Sequence, residues 1–303
     1  ALGFLESAVT TNLMLLLGKE RVKAHNLIQL LKVFLTVGFL ALFLGFQKST
    51  QTFAWAFGLS QIISLFASLL VIYPYLKNES EPISISDVFK SSFRFGSLVQ
   101  IGNVAQLLNY RFSYYVLELI IHPPTLALIR IGIFSTAIQL AESLWHFTRS
   151  VNTVQYAAIS NLTDRKQALQ ISLKLVRLNY FFTAIGIAVM ASIPNSWFVQ
   201  LFGPDFSEVK WHFILLAPGI FALAFSGGFN HFFAGMGDHK YNTIVSLAGL
   251  VITLIISWPF IKEFETVGAA VGISIVYILQ SIIQTVILMR KEGVSWRELL
   301  ITM

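Results

Sequence analysis

GIFSTAIQLAESLWHFTRSVNT, residues 132–153, is the stretch whose reading decides the fold. Ser135, Thr136, Gln139, Glu142, Ser143, His146, Arg149, Ser150 and Thr153 recur through and around it at helical spacing. At about 100° per residue they share about 140° of arc. Ile133, Phe134, Ala137, Leu140, Ala141, Leu144 and Trp145 cover the opposite face. The stripe is about 27 Å long at about 1.5 Å per residue, close to the hydrocarbon thickness of a bilayer. Lipid rejects such a face, because a charge at the bilayer centre costs about 2.5–3.5 kcal/mol on insertion scales. The face is therefore expected to look onto protein or a water-filled cavity. A membrane protein with a hydrated interior is most simply a transporter or a channel.

The rest of the chain agrees with a membrane setting. Its 303 residues are 55% hydrophobic and only 12% charged, against about 25% charged in a soluble domain. The 27 Phe suit a lipid-facing surface. The formal net charge of +6 is explained by cations on one side of the membrane rather than by nucleic acid. There is no cysteine, which excludes a disulfide framework and a thiolate metal site. The chain opens on Ala1 inside an apolar segment, without Met or a basic leader, and is read as the C-terminal part of a longer protein.

An all-α, polytopic architecture follows, with about nine spans near 2–18, 25–46, 53–75, 95–121, 125–155, 178–194, 212–234, 241–260 and 267–289. Loop cations alternate along it. Fourteen fall in one set of loops, including Lys19, Arg21, Lys77, Arg165, Lys166, Lys240 and Arg290; Lys48, Lys210 and Lys262 make up the other set. The basic side is expected to be cytoplasmic, with the C-terminus on it. Three segments read as lying on the membrane surface: 86–94, 163–177, and 294–303 with Trp296. The first three and last three spans also read as a parallel repeat. LLLGKERVKAHN (15–26) answers FFAGMGDHKYN (232–242), pairing Gly18 with Gly237 and Asn26 with Asn242. Two six-span halves are then implied. Residues 1–93 would be the remnant of the first lobe, and 94–303 the whole of the second.

A second polar face lies on the helix near 95–121, where Gln100, Asn103, Gln106, Tyr110, Arg111, Tyr114 and Glu118 share about 140° of arc. Two such helices in sequence make a groove. Arg111 is the residue singled out, because a guanidinium keeps its charge at low dielectric and presents a planar fork to phosphate oxygens. The competing reading is an ion pair with Glu142 or Glu118 that neutralises the bundle interior. Glu142, His146, Glu118 and Glu6 are candidates for titration in an ion-coupled cycle or for plain hydrogen bonding. Lys32 faces either the interface or the cavity. Pro218-Gly219 and Ser226-Gly227-Gly228 interrupt one span, so Pro218, Gly219, Gly227 and Gly228 mark either a gating kink with an unwound turn or tight helix packing. Hydrolase triads, metal clusters and phosphate-cradling glycine loops are absent from the sequence.

NYRFSYYVLELI (109–120) followed by GIFSTAIQLAESLWHFTRSVNTVQYAAIS (132–160) resembles the polysaccharide biosynthesis exporters. These are the O-antigen and capsule repeat-unit flippases of the multidrug/oligosaccharidyl-lipid/polysaccharide superfamily. PGIFALAFSGGFNHFFAGMGDHKYN (218–242) and VGAAVG (267–272) also fit. The chain departs from the family at Ser113, where an acid is common, and at Pro123-Pro124, where a short glycine turn is usual. The resemblance implies spans four to twelve of a MATE-like bundle of six plus six, a central cavity and alternating access. It implies a bacterial inner-membrane flippase for an undecaprenyl-pyrophosphate-linked oligosaccharide, beside membrane lipids and polysaccharide polymerase machinery. No enzyme activity, metal or cofactor is expected, and coupling to a proton or sodium gradient stays open. Asn103, Gln106, Tyr110, Arg111, Tyr114, Gln139, Glu142, His146 and Arg149 are the expected cavity residues. A multidrug extruder of the same superfamily, or a polytopic O-antigen polymerase or ligase, is the alternative.

Overall fold

The computed structural model describes residues 2–45, 49–76, 84–295 and 298–299, and within them the side chains of all but 50, 76, 85, 146 and 147. The described residues contain no strand. Helices α1 (Leu2–Gly18), α2 (Val22–Leu44), α3 (Thr50–Leu76), α4 (Ile85–Ile120), α5 (Pro124–Ser160) and α6 (Arg165–Ser192) come first. They are followed by the short α7 (Asn195–Phe202), a 3-10 turn (Pro204–Glu208), α8 (Val209–Gly235) and α9 (His239–Glu292). Six of these elements are long and apolar enough to cross a membrane. The nine expected spans correspond to α1–α6, α8 and two arms of α9.

Element α9 is a hairpin. Helical backbone breaks at one residue, Glu265 (φ 48°, ψ −124°), and the arms 239–264 and 266–292 run back along each other. Gly249 meets Gln280, Gly272 meets Ile256 and Gly268 meets Phe260. The close approach needs the TVGAAVG segment (266–272): a Cβ at Gly268 would collide with the Phe260 carbonyl oxygen, and Ala269 and Ala270 are fully buried. Arg290 and Lys291 sit in the last turn, where the helix dipole favours cations, and Gly293 (φ 68°) closes the helix. Beyond it Ser295 and Glu298 cap each other (2.7 and 3.2 Å), which holds the Glu298 carboxyl below its usual range. Trp296, read as an interfacial anchor, lies outside the described residues.

The chain divides into two compact units, residues 1–87 and 88–303. In the first, α3 packs on α1 and α2 around Val9, Leu13, Leu16, Ile28 and Ile72. The packed face of α3 carries Ser60, Ser64 and Ser68, each fully buried. Small residues four apart let membrane helices approach closely. Asn12 donates to the Ser68 hydroxyl (2.9 Å) and Thr36 to that of Ser60 (2.8 Å). Lys32 is paired with Glu6 at 2.9 Å, so its charge is neutralised inside this unit.

In the second unit α8 is the central post, against α5, α6 and α9. One core joins Phe134, Ala137, Ala141 and Trp145 of α5 to Phe213, Leu216 and Ile220 of α8 and to Ala269, Ile273 and Tyr277 of α9. A second joins Ile159, Val176, Phe229, Phe232, Phe233 and Leu288. Of the two readings at Pro218-Gly219 and Gly227-Gly228, close packing is the one with contacts to show, and α8 runs through these positions as one helix. Gly219 lets the Ser274 backbone approach, and its N–H donates to the Ser274 hydroxyl (2.8 Å). A Cβ at Gly228 would strike Val176.

Two further expectations are corrected. The segments 86–94 and 163–177 are not separate surface helices: they are the first turns of α4 and α6. Asp164 starts α6 by accepting from the Lys166 N–H (2.9 Å). On α4, Val104, Leu108 and Leu119 are exposed while Ala105, Asn109, Ser113 and Val116 are buried. The repeat register also shifts. Helices α1 and α8 end in the same turn, with Arg21 N–H on Leu16 O (2.8 Å) and Glu20 N–H on Leu17 O (2.9 Å), against Asp238 N–H on Phe233 O (2.7 Å) and Gly237 N–H on Ala234 O (3.1 Å). The positive-φ residues are Glu20 and Gly237, so Gly18 answers Gly235 rather than Gly237.

Candidate functional site

Helix α5 buries its apolar face and leaves the polar one unpacked. Phe134, Ala137, Ala141 and Trp145 are in the core, whereas Gln139, Ser143, Arg149 and Ser150 are exposed. Side by side with it, α4 presents Arg111. Its Nη2 lies 4.0 Å from Glu142 Oε2, with the two side chains 43% and 26% exposed. Its Nη1 donates to the Tyr114 hydroxyl at 3.4 Å, and the guanidinium sits 5.6 Å from that ring's centre. A charge-assisted bond is about 2.7–2.9 Å long. Glu142 therefore orients Arg111 without engaging it closely, and most of the guanidinium's donors remain for another acceptor.

One turn away, Tyr110, Trp145 and Tyr277 form an aromatic cluster with ring centres 5.5–6.3 Å apart. Tyr110 and Trp145 of this cluster also line a half-open pocket, the first chamber, of about 150 Å³ with Thr148, Arg149, Asn152, Gly227 and Asn230, among others. A second chamber of about 220 Å³ shares Tyr110, Leu223 and Asn230 with the first and adds Asn103, Gln106, Ser226, Asn242, Ser246, Gln280 and Gln284.

The expected cavity residues thus separate into places. Arg111, Tyr114 and Glu142 come together; Tyr110 and Arg149 line the first chamber; Asn103, Gln106 and Tyr110 line the second. Gln139 is brought to none of these, and the side chain of His146 lies outside the described residues. Gly227 lines the first chamber, whereas Pro218 and Gly219 are in neither. Arg130 pairs with Glu208 at 3.0 Å. No group of His, Asp or Glu among the described residues is arranged to hold a metal ion.

Several lining residues were missed in the sequence. Trp145 reads as part of the apolar face, and Asn152, Asn230, Asn242, Gln280 and Gln284 carry no cavity expectation. Gln280, Ser281, Gln284 and Thr285 recur one and four apart in an otherwise apolar span, a readable signal of a packed polar face.

This is the architecture of a multi-pass membrane protein with a polar interior. No family model matches the chain, and no curated protein does. Solved structures with a similar fold are transporters. A MATE crystal structure in complex with MaL6 superposes with a TM-score of 0.74 at 15% identity, over 96% of this chain and 67% of that one. An outward-facing multidrug resistance MATE family transporter of the MOP superfamily gives 0.71 at 14% identity, over 93% and 66%. A MOP superfamily transporter from Pyrococcus furiosus, described as having a binding pocket of reversed polarity, gives 0.67 at 15% identity, over 91% and 63%. The chain has the MATE transporter fold and spans about two thirds of the length of these proteins.

Proposed function

We propose that the chain is the larger part of an alternating-access exporter of the MOP superfamily, and that its substrate is a lipid-linked oligosaccharide carrying a pyrophosphate. The observation that carries this reading is Arg111. It is a permanent cation on the polar face of α4, 43% exposed and 4.0 Å from Glu142. A pyrophosphate head brings about two negative charges, and an unpaired ion in a low-dielectric passage is prohibitively costly. A guanidinium binds two phosphate oxygens at once and lowers that cost. The amide, hydroxyl and aromatic lining beside it suits sugar. The flippase would work in a bacterial inner membrane, with the basic loops and the C-terminus cytoplasmic.

The likeness to a multidrug resistance transporter favours a second reading, extrusion of drugs. One experiment separates the two. The full-length protein is expressed in a strain lacking its own repeat-unit flippase and, in parallel, in a drug-hypersensitive strain. Restored surface polysaccharide without drug resistance supports the oligosaccharide substrate; drug resistance without polysaccharide replaces it with the multidrug reading.

A further inference from the structure

The open end of the α9 hairpin gathers cations. Lys240 Nζ lies 5.1 Å and Lys291 Nζ 6.0 Å from the centre of one ring, that of Tyr241. The lysines come from the first turn of one arm and the last turn of the other, and both are exposed. The ring is backed by Phe233, fully buried and 5.0 Å away centre to centre. The acids nearest to them in sequence are engaged elsewhere: Asp238 and Glu292 both bind Arg165, at 2.7 and 2.6 Å. Neither lysine pairs with an acid among the described residues. A ring holds an ammonium without consuming all three of its N–H donors, so donors remain for an anion. Arg290, exposed in the same last turn as Lys291, adds a further cation.

Along the helix from Lys240 the surface turns apolar. Ile244, Leu247 and Val251 share one face with it, within about 60° of arc and over about 16 Å of helix. They are 50%, 40% and 56% exposed. Leu247, with Leu250, forms one side of an open groove of about 460 Å³, and Ile101, Val104 and Leu108 of α4 form the other. Thr243 donates to the Leu98 carbonyl (3.0 Å) and Asn109 to the Ser246 carbonyl (3.2 Å), so α4 and this arm run side by side in one direction. The groove therefore begins beside Lys240 and runs toward the turn of the hairpin.

An anionic head on a long apolar tail matches both parts at once. A soluble anion would use the lysines and leave the groove untouched. A zwitterionic lipid would bring its own cation to a cluster of cations. Basic side chains at the ends of membrane helices attract anionic headgroups, and tyrosine is a usual residue at that depth. We propose that Lys240, Lys291 and Tyr241, with the groove between α4 and α9, bind an anionic phospholipid. Its phosphate sits on the lysines, and one acyl chain follows Ile244 and Leu247 into the groove. In the orientation set by the loop charges this lipid belongs to the cytoplasmic leaflet. The inference needs the membrane setting alone and not the identity of what is exported.

The test replaces Ile244 with the photocrosslinker p-benzoylphenylalanine in the full-length protein. The protein is placed in vesicles of equal dioleoylphosphatidylglycerol and dioleoylphosphatidylcholine and irradiated, and the lipid adducts are weighed by mass spectrometry. Phosphatidylglycerol adducts should exceed phosphatidylcholine adducts about twenty- to thirtyfold, at about fivefold per lysine. Lys240→Gln or Lys291→Gln should each reduce the excess to about fivefold, and the two together to near parity. Both lysines are exposed, so the variants should reach the membrane as the parent does. The same crosslinker at Ile255, exposed on this arm nearer the turn, should give near parity throughout. Glycerol phosphate added in equimolar amount should not reduce the adducts at position 244. Parity at position 244, an excess unchanged by the double lysine variant, or an equal excess at position 255 overturns the site. Loss of adducts to glycerol phosphate overturns the lipid assignment, since the lysines would then be holding a free anion.

Discussion

Arg165 grips Glu292 with both halves of its fork: Nε donates to Oε2 at 2.8 Å and Nη2 to Oε1 at 2.6 Å. The same Nη2 donates to Asp238 at 2.7 Å, and the guanidinium lies over the Phe232 ring. The first residue of α6, the turn between α8 and α9 and the last residue of α9 are thereby tied at one point. Glu292 is nearly buried, its side chain 6% exposed, whereas Arg165 is 36% exposed. Removing one partner from a fully buried pair costs about 3–5 kcal/mol, and partial exposure reduces that. Arg165→Ala should destabilise the second unit by about 2 kcal/mol, or about 4–8 °C in the unfolding midpoint in detergent. Arg165→Lys should recover less than half of the loss, because an ammonium cannot bind in the two-pronged mode.

On the proposed function, the expected order of export is wild type, then Arg111→Lys, then Arg111→Ala. Arg111→Ala should abolish surface polysaccharide in the complementation assay with unchanged protein in the membrane, because the 4.0 Å contact with Glu142 contributes little to folding. Arg111→Lys keeps the charge and loses the fork, so it should export poorly. Normal polymer from Arg111→Ala would remove this residue from the mechanism. Loss of the protein itself would mark the pair as structural.

Glycine positions should behave oppositely according to their surroundings. Gly268→Ala drives a Cβ into the Phe260 carbonyl oxygen, a backbone atom that cannot rotate away, and should cost at least about 2 kcal/mol. Gly132→Ala meets nothing within 4 Å and should be neutral or stabilising by up to about 1 kcal/mol, from helix propensity. Thermal unfolding of the two variants side by side decides it; equal midpoints would mean that the hairpin arms are not this close.

The hinge makes a related contrast. A β-branched side chain at φ 48° and ψ −124° is strained by about 1–3 kcal/mol relative to glycine. Glu265→Val should therefore unfold at a lower temperature than Glu265→Gly by at least about 2 °C. The reverse order would place helical backbone at that residue.

The orientation is tested by labelling. Cysteine at exposed position 166 should be silent to a membrane-impermeant maleimide added outside intact cells, and cysteine at exposed position 207 should react. The motive is the loop-charge asymmetry. Labelling at 166 with silence at 207 would invert the protein.

The span order and the polar stripe of α5 were legible because a bilayer enforces the helical period: a residue that faces lipid must be apolar. The stripe of α5 obeys this, with Ala137, Ala141 and Trp145 packed and Gln139 and Arg149 not. What the period does not reveal is which face of a membrane helix meets another helix. Between 102 and 113 the packed positions of α4 are Gly102, Ala105, Asn109 and Ser113, and the large apolar Val104 and Leu108 are left outside. Lipid competes equally well for leucine, so small size and hydrogen bonding decide the contact. Asn109 illustrates it, donating to the Ser246 carbonyl and accepting from Thr253, both at 3.2 Å. The spacing of Gln280 and Gln284 shows a packed polar face, but not its partners, which lie on α4 and on the other arm of α9.

A hairpin turned by one residue has almost no slack. The arms of α9 cannot slide past each other by a turn without unwinding helix on one side of Glu265, and they cannot spread without pulling Gly268 off Phe260. The distance across the chamber from Asn242 and Ser246 to Gln280 and Gln284 is thus fixed by the chain itself, as a gauge is fixed by its casting. Such a wall does not mould itself to what enters. Any change in that spacing is expected to come from α4 or α8, the walls that are not tied to the turn.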